Sequence, residues 1–248
     1  MVEPNATTMI YQLALSQVPH IGPVLARNLV AYCGSAEAVF SESFSNLKRI
    51  PGIGDKLALE ICGFKNFDRL FREVEFINAN NIQVDFFTDA SYPFRLRQIP
   101  GAPVALFRKG GFDLDHNRVL AIIGTRKSSK SSRDAVLGLV KELKSSAPLI
   151  VSGLAYGIDS VAHRAAVENG LSTVGVLGHG LDRIYPARNT GLANSMMLNG
   201  GLLTEFMSNT KPDRENFPKR NRIVAGLVDA VLVVESPLKG GSVITANL

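Results

Sequence analysis

Tryptophan is absent from this chain of 248 residues, and only two cysteines are present, Cys33 and Cys62. Neither cysteine has a second thiol at the CxxC spacing, so the sequence supports neither a disulfide framework nor a metal site. The longest apolar runs are far shorter than the roughly 20 residues that cross a bilayer, and the first eight residues lack a signal-peptide layout. We therefore expect a cytoplasmic, soluble protein without a membrane partner.

Net charge is also missing from residues 1–118, which carry 12 Lys or Arg and 12 Asp or Glu. Residues 119–248 carry 15 Lys or Arg against 10 Asp or Glu, so this half holds the whole formal charge of +5. A basic half favours an anionic partner, although a modest excess of lysine also keeps ordinary proteins soluble. An anion-binding function is therefore expected in the second half.

A repeated unit occupies the N-terminal part of the chain, where residues 18–22 align with residues 50–54 at an offset of 32. Each copy predicts a helix, a tight glycine turn and a second helix, as in a tandem helix-hairpin-helix domain. Such hairpins can hold a DNA phosphate through backbone N–H groups. The first copy has His20 where the second has Gly52, so DNA contact and a purely structural role both stay open. We predict this helical, SAM-like domain over residues 1–75.

Short apolar runs alternate with helical patterns from Val119 onward, as in a parallel sheet covered by helices on both faces. Two earlier runs, at 82–87 and 104–108, predict extra strands. The predicted fold class is α/β, with a Rossmann-like, doubly wound, mostly parallel sheet over residues 76–248 after the helical domain. Ligands of such sheets bind beyond the carboxyl ends of the strands. The main strands are predicted at 119–123, 149–152, 172–177, 202–206 and 230–234.

The loop after the first main strand combines Gly124 with four cations within ten residues, among them Arg126 and Lys127. Backbone N–H groups and the positive end of a helix dipole attract phosphate at such a junction. A dinucleotide site would show GxGxxG here, so NAD is disfavoured and we expect no cofactor. Four cations suit a polyanion better than a single pyrophosphate.

The loop after the second main strand runs from Ser152 through Gly153 and Tyr156 to Asp159 and His163. A serine, an aspartate and a histidine are the residue types of a hydrolytic triad. No GxSxG elbow surrounds the serine, so we expect no catalytic residue. Asp159 and His163 are four apart on one helix face and are predicted to pair, which would fix the loop.

Two later loops bring further cations and glycines to the same edge. The aromatic-proline pair at 217–218 precedes residues 219–222, whose three cations are predicted to crowd the first turn of a helix. The helix dipole disfavours positive charge there, and a bound anion would offset that cost. Gly241 and Ser242 follow the last strand in another phosphate-type turn.

Several cationic loops along one sheet edge predict a groove rather than a pocket. Single-stranded nucleic acid binds in this way, because cations follow its phosphates and aromatics such as Tyr156, Tyr185 and Phe217 stack on its bases. Nothing indicates base-edge recognition, so binding should be independent of sequence and sensitive to salt. The candidate DNA-binding and phosphate-binding residues are Gly124, Arg126, Lys127, Ser152, Gly153, Tyr156, Lys219, Arg220, Asn221, Arg222, Gly241 and Ser242.

Six motifs stand in order from Tyr92 onward: YPFRLRQIP at 92–100, IGTR at 123–126, SGLAYGIDSVAH at 152–163, YP at 185–186, FPKRNR at 217–222 and GSVITA at 241–246. Together they resemble the DNA-processing protein A family, also called DprA or Smf. The resemblance implies an extended Rossmann domain that forms a homodimer and binds and protects incoming single-stranded DNA. It also implies loading of a RecA-type recombinase during natural transformation, a role in DNA recombination and competence, and no enzyme activity.

On this resemblance, the strand-end arginine of the family falls on Arg126 and its basic helix start on residues 219–222. Tyr156 stands where the family commonly has Lys or Arg, so one phosphate contact is missing or replaced by stacking. The resemblance further implies a C-terminal part of the fold and a winged-helix domain that this sequence, ending at Leu248, does not contain.

Two other functions stay open. A nucleotide phosphoribohydrolase shares this sheet architecture, but that class requires PGGxGTxxE where this chain has LKGGSVIT at 238–245. A scaffold whose helical repeat and sheet edge dock other proteins is the second possibility. Release of a free base from a nucleoside monophosphate would indicate the enzyme, and recombinase binding without DNA affinity would indicate the scaffold.

Overall fold

The computed structural model describes residues 6–99, 101–237 and 240–248. A helical region precedes a seven-stranded, mostly parallel sheet, and the predicted α/β fold class is confirmed. None of the helices in these three ranges is both long and apolar enough to cross a membrane. The same residues contain no group of three His, Cys, Asp or Glu side chains placed to hold a metal ion.

The helical region contains both copies of the sequence repeat. Helices α2 and α5 each begin directly after a glycine of the repeat, Gly22 and Gly54. The aligned residues His20 and Gly52 both have positive φ, at 63° and 86°, so the two turns share a backbone conformation despite their different side chains. The helices are α1 (Ala6–Gln17), α2 (Pro23–Cys33), α3 (Ala36–Ser41), α4 (Phe44–Leu47), α5 (Asp55–Cys62) and α6 (Phe67–Ala79).

The sheet has the strand order β1-β2-β6-β5-β4-β3-β7. Strands β3 to β7 pair with one another in parallel, whereas β1 pairs antiparallel with β2 and β2 pairs antiparallel with β6. The two extra strands predicted ahead of the main sheet are therefore present at its edge. The strands are β1 (Gln83–Phe86), β2 (Ala105–Gly110), β3 (Val119–Gly124), β4 (Leu149–Ser152), β5 (Thr173–Leu177), β6 (Gly200–Thr204) and β7 (Ala230–Val234).

Helices cover both faces of this sheet, as a doubly wound fold requires. On one face Val136 of α8 and Ala165 of α9 pack against β3 and β4. On the other face Leu96 of α7 and Ile223 and Leu227 of α11 form a second core with the same strands. The helices are α7 (Phe94–Arg97), α8 (Lys130–Glu142), α9 (Ile158–Glu168), α10 (Thr190–Met196), α11 (Asn216–Leu227) and α12 (Gly241–Ala246), with 3-10 turns at Leu143–Ser145 and Ala187–Asn189.

The helical region and the sheet share buried surface. Phe86 of β1 lies in one apolar cluster with the repeat helices, and Met207, just after β6, lies in another with Leu70 and Ile77 of α6. Helix α6 itself runs to Ala79, beyond position 75. The division of the chain into domains at 75 stays a prediction.

Candidate nucleic-acid interface

The strand order reverses at β3, which has β4 on one side and β7 on the other. Ligands of open α/β sheets bind in the crevice beyond such a reversal point. A cavity of about 470 Å³ lies there, and loops after β3, β4, β6 and β7 line it. Arg126 and the start of α11 therefore meet in one site, as the predicted groove requires. Its lining includes the side chains of Arg126, Asp159, Arg214, Phe217, Arg220 and Ser242.

Arg126 and Phe217 bring charge and an aromatic face together at the mouth of the cavity. The Arg126 guanidinium carbon lies 5.8 Å from the centre of the Phe217 ring, which is a cation–π distance. The Phe217 ring is in turn 6.2 Å from the ring of Tyr185, whose surface is 47% exposed. Gly178 makes room for Phe217, because a Cβ atom there would stand 3.0 Å from the ring. A cation that can contact phosphate and aromatic rings that can stack on bases therefore lie side by side at this cavity.

Arg220 lies on the floor of the cavity and is only 6% exposed. Its Nη1 donates to the carbonyl oxygen of Val176, and its Nε donates to Oδ1 of Asn221 at 3.1 Å. Burial lowers the pKa of Arg220, and the nearby Asp159 carboxylate opposes that shift. Arg220 thus supplies positive charge from beneath the cavity rather than as an exposed side chain.

Asp159 and His163 do not pair, contrary to the sequence-based prediction. Asp159 Oδ2 accepts the N–H groups of Gly153 and Ala155 at 3.2 and 3.4 Å, so it shapes the loop after β4 directly. His163 Nδ1 lies 2.7 Å from Thr173 Oγ1. Both side chains are buried, and their hydrogen bonds go to different partners.

Ser152 does not reach the cavity. It is completely buried, and its Oγ donates to the carbonyl oxygen of Ile122 on the neighbouring strand at 2.6 Å. The placement of Ser152 therefore does not fit the expectation that it contacts phosphate. Its hydroxyl cross-links β4 to β3 instead.

The three cations at 219–222 lie in three different environments, of which the buried one of Arg220 is described above. Helix α11 begins at Asn216, so only Lys219 falls in its first turn. Lys219 is exposed but stands outside the cavity lining. Arg222 is partly buried and forms an ion pair with Glu205. The predicted crowding of three cations at the helix start is therefore wrong, and neither Arg222 nor Glu205 is part of the cavity lining.

The start of α8 is occupied by groups of this chain. Ser129 Oγ accepts the N–H of Ser132 at 3.1 Å, and Glu235 Oε2 accepts the N–H of Ser129 at 2.7 Å. The hydrogen bond from the Ser129 N–H lowers the pKa of the Glu235 carboxyl. The Glu235 carboxylate thus occupies the position at which a phosphate was expected. Gly124 allows close packing, since a Cβ atom there would lie 2.1 Å from the oxygen of Val234.

The turn after β7 is part of the cavity wall. Gly241 begins α12, and Asn221 Nδ2 approaches the Gly241 oxygen at 3.5 Å. Ser242 Oγ lies 2.5 Å from Ser236 Oγ. Lys239, which completes this turn in the sequence, lies outside the described residues.

Two of the predicted residues are exposed outside the cavity lining, and one cation of the lining, Arg214, was missed. Lys127 and Tyr156 are exposed, the latter at 46%, and neither is part of the cavity lining. Arg214 does line the cavity. The signal for Arg214 was its position among the five cations of residues 211–222, but the segment before a helix gives no indication of which side chains turn inward.

Two families of known proteins match this chain. The sequence profile described as DNA recombination-mediator protein A matches residues 83–248. The profile described as SAM-like helix-hairpin-helix tandem matches residues 13–62.

Individual relatives cover most or all of the chain. Protein Smf of Synechocystis is 38% identical over 243 residues, which cover 96% of this chain and 61% of that protein. DNA processing protein DprA of Streptococcus pneumoniae is 41% identical over 159 residues, which cover 64% of this chain and 56% of that protein. The chain thus spans less than two thirds of the length of these relatives.

Two solved structures are similar as well. The X-ray structure of DprA from Streptococcus pneumoniae has a TM-score of 0.79 at 32% identity, over 100% of this chain and 83% of that one. A structure that describes the single-stranded DNA binding mode of DNA processing protein A from Helicobacter pylori has a TM-score of 0.60 at 31% identity, over 66% of this chain and 75% of that one.

Proposed function

Because this chain belongs to the DNA recombination-mediator protein A family, we propose that it binds single-stranded DNA along the carboxyl edge of its sheet, without reading base sequence. The observation that carries the proposal is the meeting of Arg126 with Arg214 and Phe217 in one cavity at the reversal point of the sheet. The relative from Helicobacter pylori, described as binding single-stranded DNA, supports the choice of ligand.

The chemistry of this edge fits an unpaired polyanion. Arg126 and Arg214 face the phosphates, and the buried Arg220 adds positive potential from below. Phe217 and Tyr185 offer ring faces for stacking, which is tolerant of sequence because every base has such a face. Asn221, Gly241 and Ser242 complete the wall, and Lys127, Tyr156 and Lys219 extend the contact along the rim.

Binding rather than catalysis is the proposed activity. Ser152 has its hydroxyl engaged inside the sheet, and Asp159 and His163 serve other partners, so these three residues form no nucleophilic triad. The names of the relatives, DNA processing proteins, fit a role in handling DNA. No arrangement among the described residues favours the phosphoribohydrolase alternative.

The finer parts of the proposal concern partners. We propose that the protein acts in the cytoplasm as a homodimer that protects incoming DNA and loads a RecA-type recombinase during natural transformation. The family description, a recombination mediator, supports this assignment. This assignment does not require the helix-hairpin-helix region to contact DNA directly.

A salt titration tests the proposal. Single-stranded and double-stranded oligonucleotides of equal length are bound at several salt concentrations, and the single strand is expected to bind more tightly. Arg126→Ala should lower that affinity and reduce the slope of log affinity against log salt by about 1.

Arg118→Ala is the matched control, because Arg118 precedes the same strand at its opposite end. It should leave affinity and slope nearly unchanged. Equal effects of the two substitutions, or no single-strand binding by the wild-type protein at low salt, would overturn the proposal. Mixing with a RecA-type recombinase, and sizing the protein in solution, test the two partner assignments separately.

A further inference from the structure

Helix α6 reaches across to the loop that follows β6. Glu73 of this helix is only 1% exposed, although it carries a carboxylate. Its partner on the same helix is Arg69, whose Nη1 donates to Glu73 Oε2 at 2.7 Å. A buried charged pair of this kind is costly unless further hydrogen bonds satisfy it.

Those further hydrogen bonds all involve one residue, Ser208. Its backbone N–H donates to Glu73 Oε1 at 2.8 Å, and its Oγ donates to Glu73 Oε2 at 2.6 Å. Its carbonyl oxygen accepts from Arg69 Nη2 at 2.5 Å. Two side chains of α6 thus engage every polar group of Ser208, and we call Arg69, Glu73 and Ser208 the Ser208 clamp.

The loop after β5 packs against Ser208 and the residues that follow it. Gly180 donates its N–H to the oxygen of Thr210 at 3.2 Å, and a Cβ atom at Gly180 would stand 2.8 Å from Cα of Ser208. Asp182 Oδ1 accepts the N–H of Asn209 at 2.9 Å. The loops after β5 and β6 are therefore fixed to each other at the clamp.

Each of these loops carries a part of the proposed DNA site. The loop after β5 continues to Tyr185, and the loop after β6 continues to Arg214 and leads into α11, whose second residue is Phe217. After these long-range contacts, residues 211–216 form short-range turns, closed for example by the bond from the Asn216 N–H to the oxygen of Asp213. The position of Tyr185 and Phe217 therefore depends on where Ser208 is held, together with the packing of α11 on the sheet.

We propose that Glu73 is a positioning residue for single-stranded DNA binding, through which the helical region holds the aromatic part of the sheet edge in place. This inference rests on the proposed function. It gives the helical region a role in binding without DNA contact, and Glu73 itself, fully buried, does not touch the strand.

Glu73→Gln tests the inference by the sign of its effect. The substitution removes a negative charge, so electrostatics alone would strengthen binding of a polyanion. An amide also cannot accept all the hydrogen bonds that the carboxylate accepts, so the clamp loosens. If Glu73 acts by positioning, the Glu73→Gln protein binds more weakly than the wild type. We expect a loss of about three- to tenfold in its affinity for a single-stranded oligonucleotide.

Glu75→Gln is the matched control, because Glu75 is an exposed glutamate on the same helix. It makes the same charge change and should leave affinity unchanged or slightly higher. The double variant of Glu73→Gln with Phe217→Ala should bind hardly worse than Phe217→Ala alone, because the clamp acts through that ring. Equal affinities of the two glutamine variants, or additive losses in the double variant, would refute the positioning role.

Ser208→Ala covers the case in which Glu73→Gln does not fold. It removes only the hydroxyl that donates to Glu73 and keeps both charges. Affinity should fall, and hydrogen exchange of residues 205–217 should accelerate, while exchange in β3 and β4 stays unchanged. Hydrogen exchange and single-strand affinity that both match the wild type would contradict the inference. A wild-type protein that binds no single strand would instead overturn the proposed function.

Discussion

Arg220 lies so close to the backbone of Gly153 that a Cβ atom added at Gly153 would stand 2.1 Å from its Nη1. Gly153→Ala should therefore displace the buried guanidinium and lower the free energy of unfolding by about 1–3 kcal/mol, the usual cost of overpacking. Single-strand affinity should fall as well. Urea denaturation and an oligonucleotide titration measure the two effects.

Gly138→Ala provides the comparison for that experiment. Gly138 lies within α8 with open space around the position of its missing side chain. Alanine there should raise the free energy of unfolding by about 0.5–1 kcal/mol, because glycine is unfavourable inside a helix. A Gly153→Ala protein as stable as this variant would contradict the packing argument.

Phe217→Ala should weaken single-strand binding by about 1–3 kcal/mol through the loss of one stacked base. The slope of affinity against salt should stay close to the wild-type value, since no phosphate contact is lost. Phe94→Ala is the control, because Phe94 is 51% exposed on α7. A change in salt slope without a loss of affinity would be inconsistent with stacking at Phe217.

His163 should make stability depend on pH. Burial, aided by Arg220, lowers the pKa of His163 to about 3. Because the unfolded state binds the proton more readily, the stability that His163 contributes is present above the ordinary pKa of about 6.5 and is lost as the pH falls below it. One such histidine accounts for about 2 kcal/mol between pH 7 and pH 5.

His163→Leu should remove that part of the pH dependence. Urea denaturation at pH 7 and pH 5 would show a smaller loss of stability in the variant than in the wild type, whatever their absolute stabilities. Parallel losses in both proteins would mean that His163 is protonated in the folded state.

Glu235→Gln should strengthen single-strand binding by about two- to fivefold at low salt, since a negative charge leaves the edge that faces the phosphates. The amide oxygen can still accept the N–H of Ser129, so α8 keeps its start. Asp134→Asn neutralises a carboxylate within α8 and should have a smaller effect. Equal gains from both variants would assign the effect to net charge alone.

The fold was predictable because its elements follow hydrophobic periodicity, and the deviation at β6 has a local cause. The run at 202–206 predicted this strand, which begins instead at Gly200. Paired glycines are typical of turns, but a Cβ at Gly201 would lie 2.1 Å from the oxygen of Lys109. The glycines allow β2 to approach, and that long-range contact is invisible in the sequence.

The site was predictable as a set of loops but not as a set of contacts. Parallel strands place their carboxyl ends on one edge, so Arg126 and the loop before α11 were expected together. Ser152 was misleading, because its hydroxyl donates to a main-chain oxygen of a neighbouring strand, as the hydroxyls of Thr173 and Thr204 also do. Whether a hydroxyl turns toward ligand or sheet depends on register, which composition does not encode.

The Ser208 clamp also limits how this protein can be dissected. A fragment starting at β1 would leave the N–H and carbonyl oxygen of Ser208 without their partners on α6 and would bare Phe107 and Met207 to water. The two sequence profiles leave residues 63–82 between them, and α6 lies in that gap, so a cut on its C-terminal side would separate Arg69 and Glu73 from Ser208.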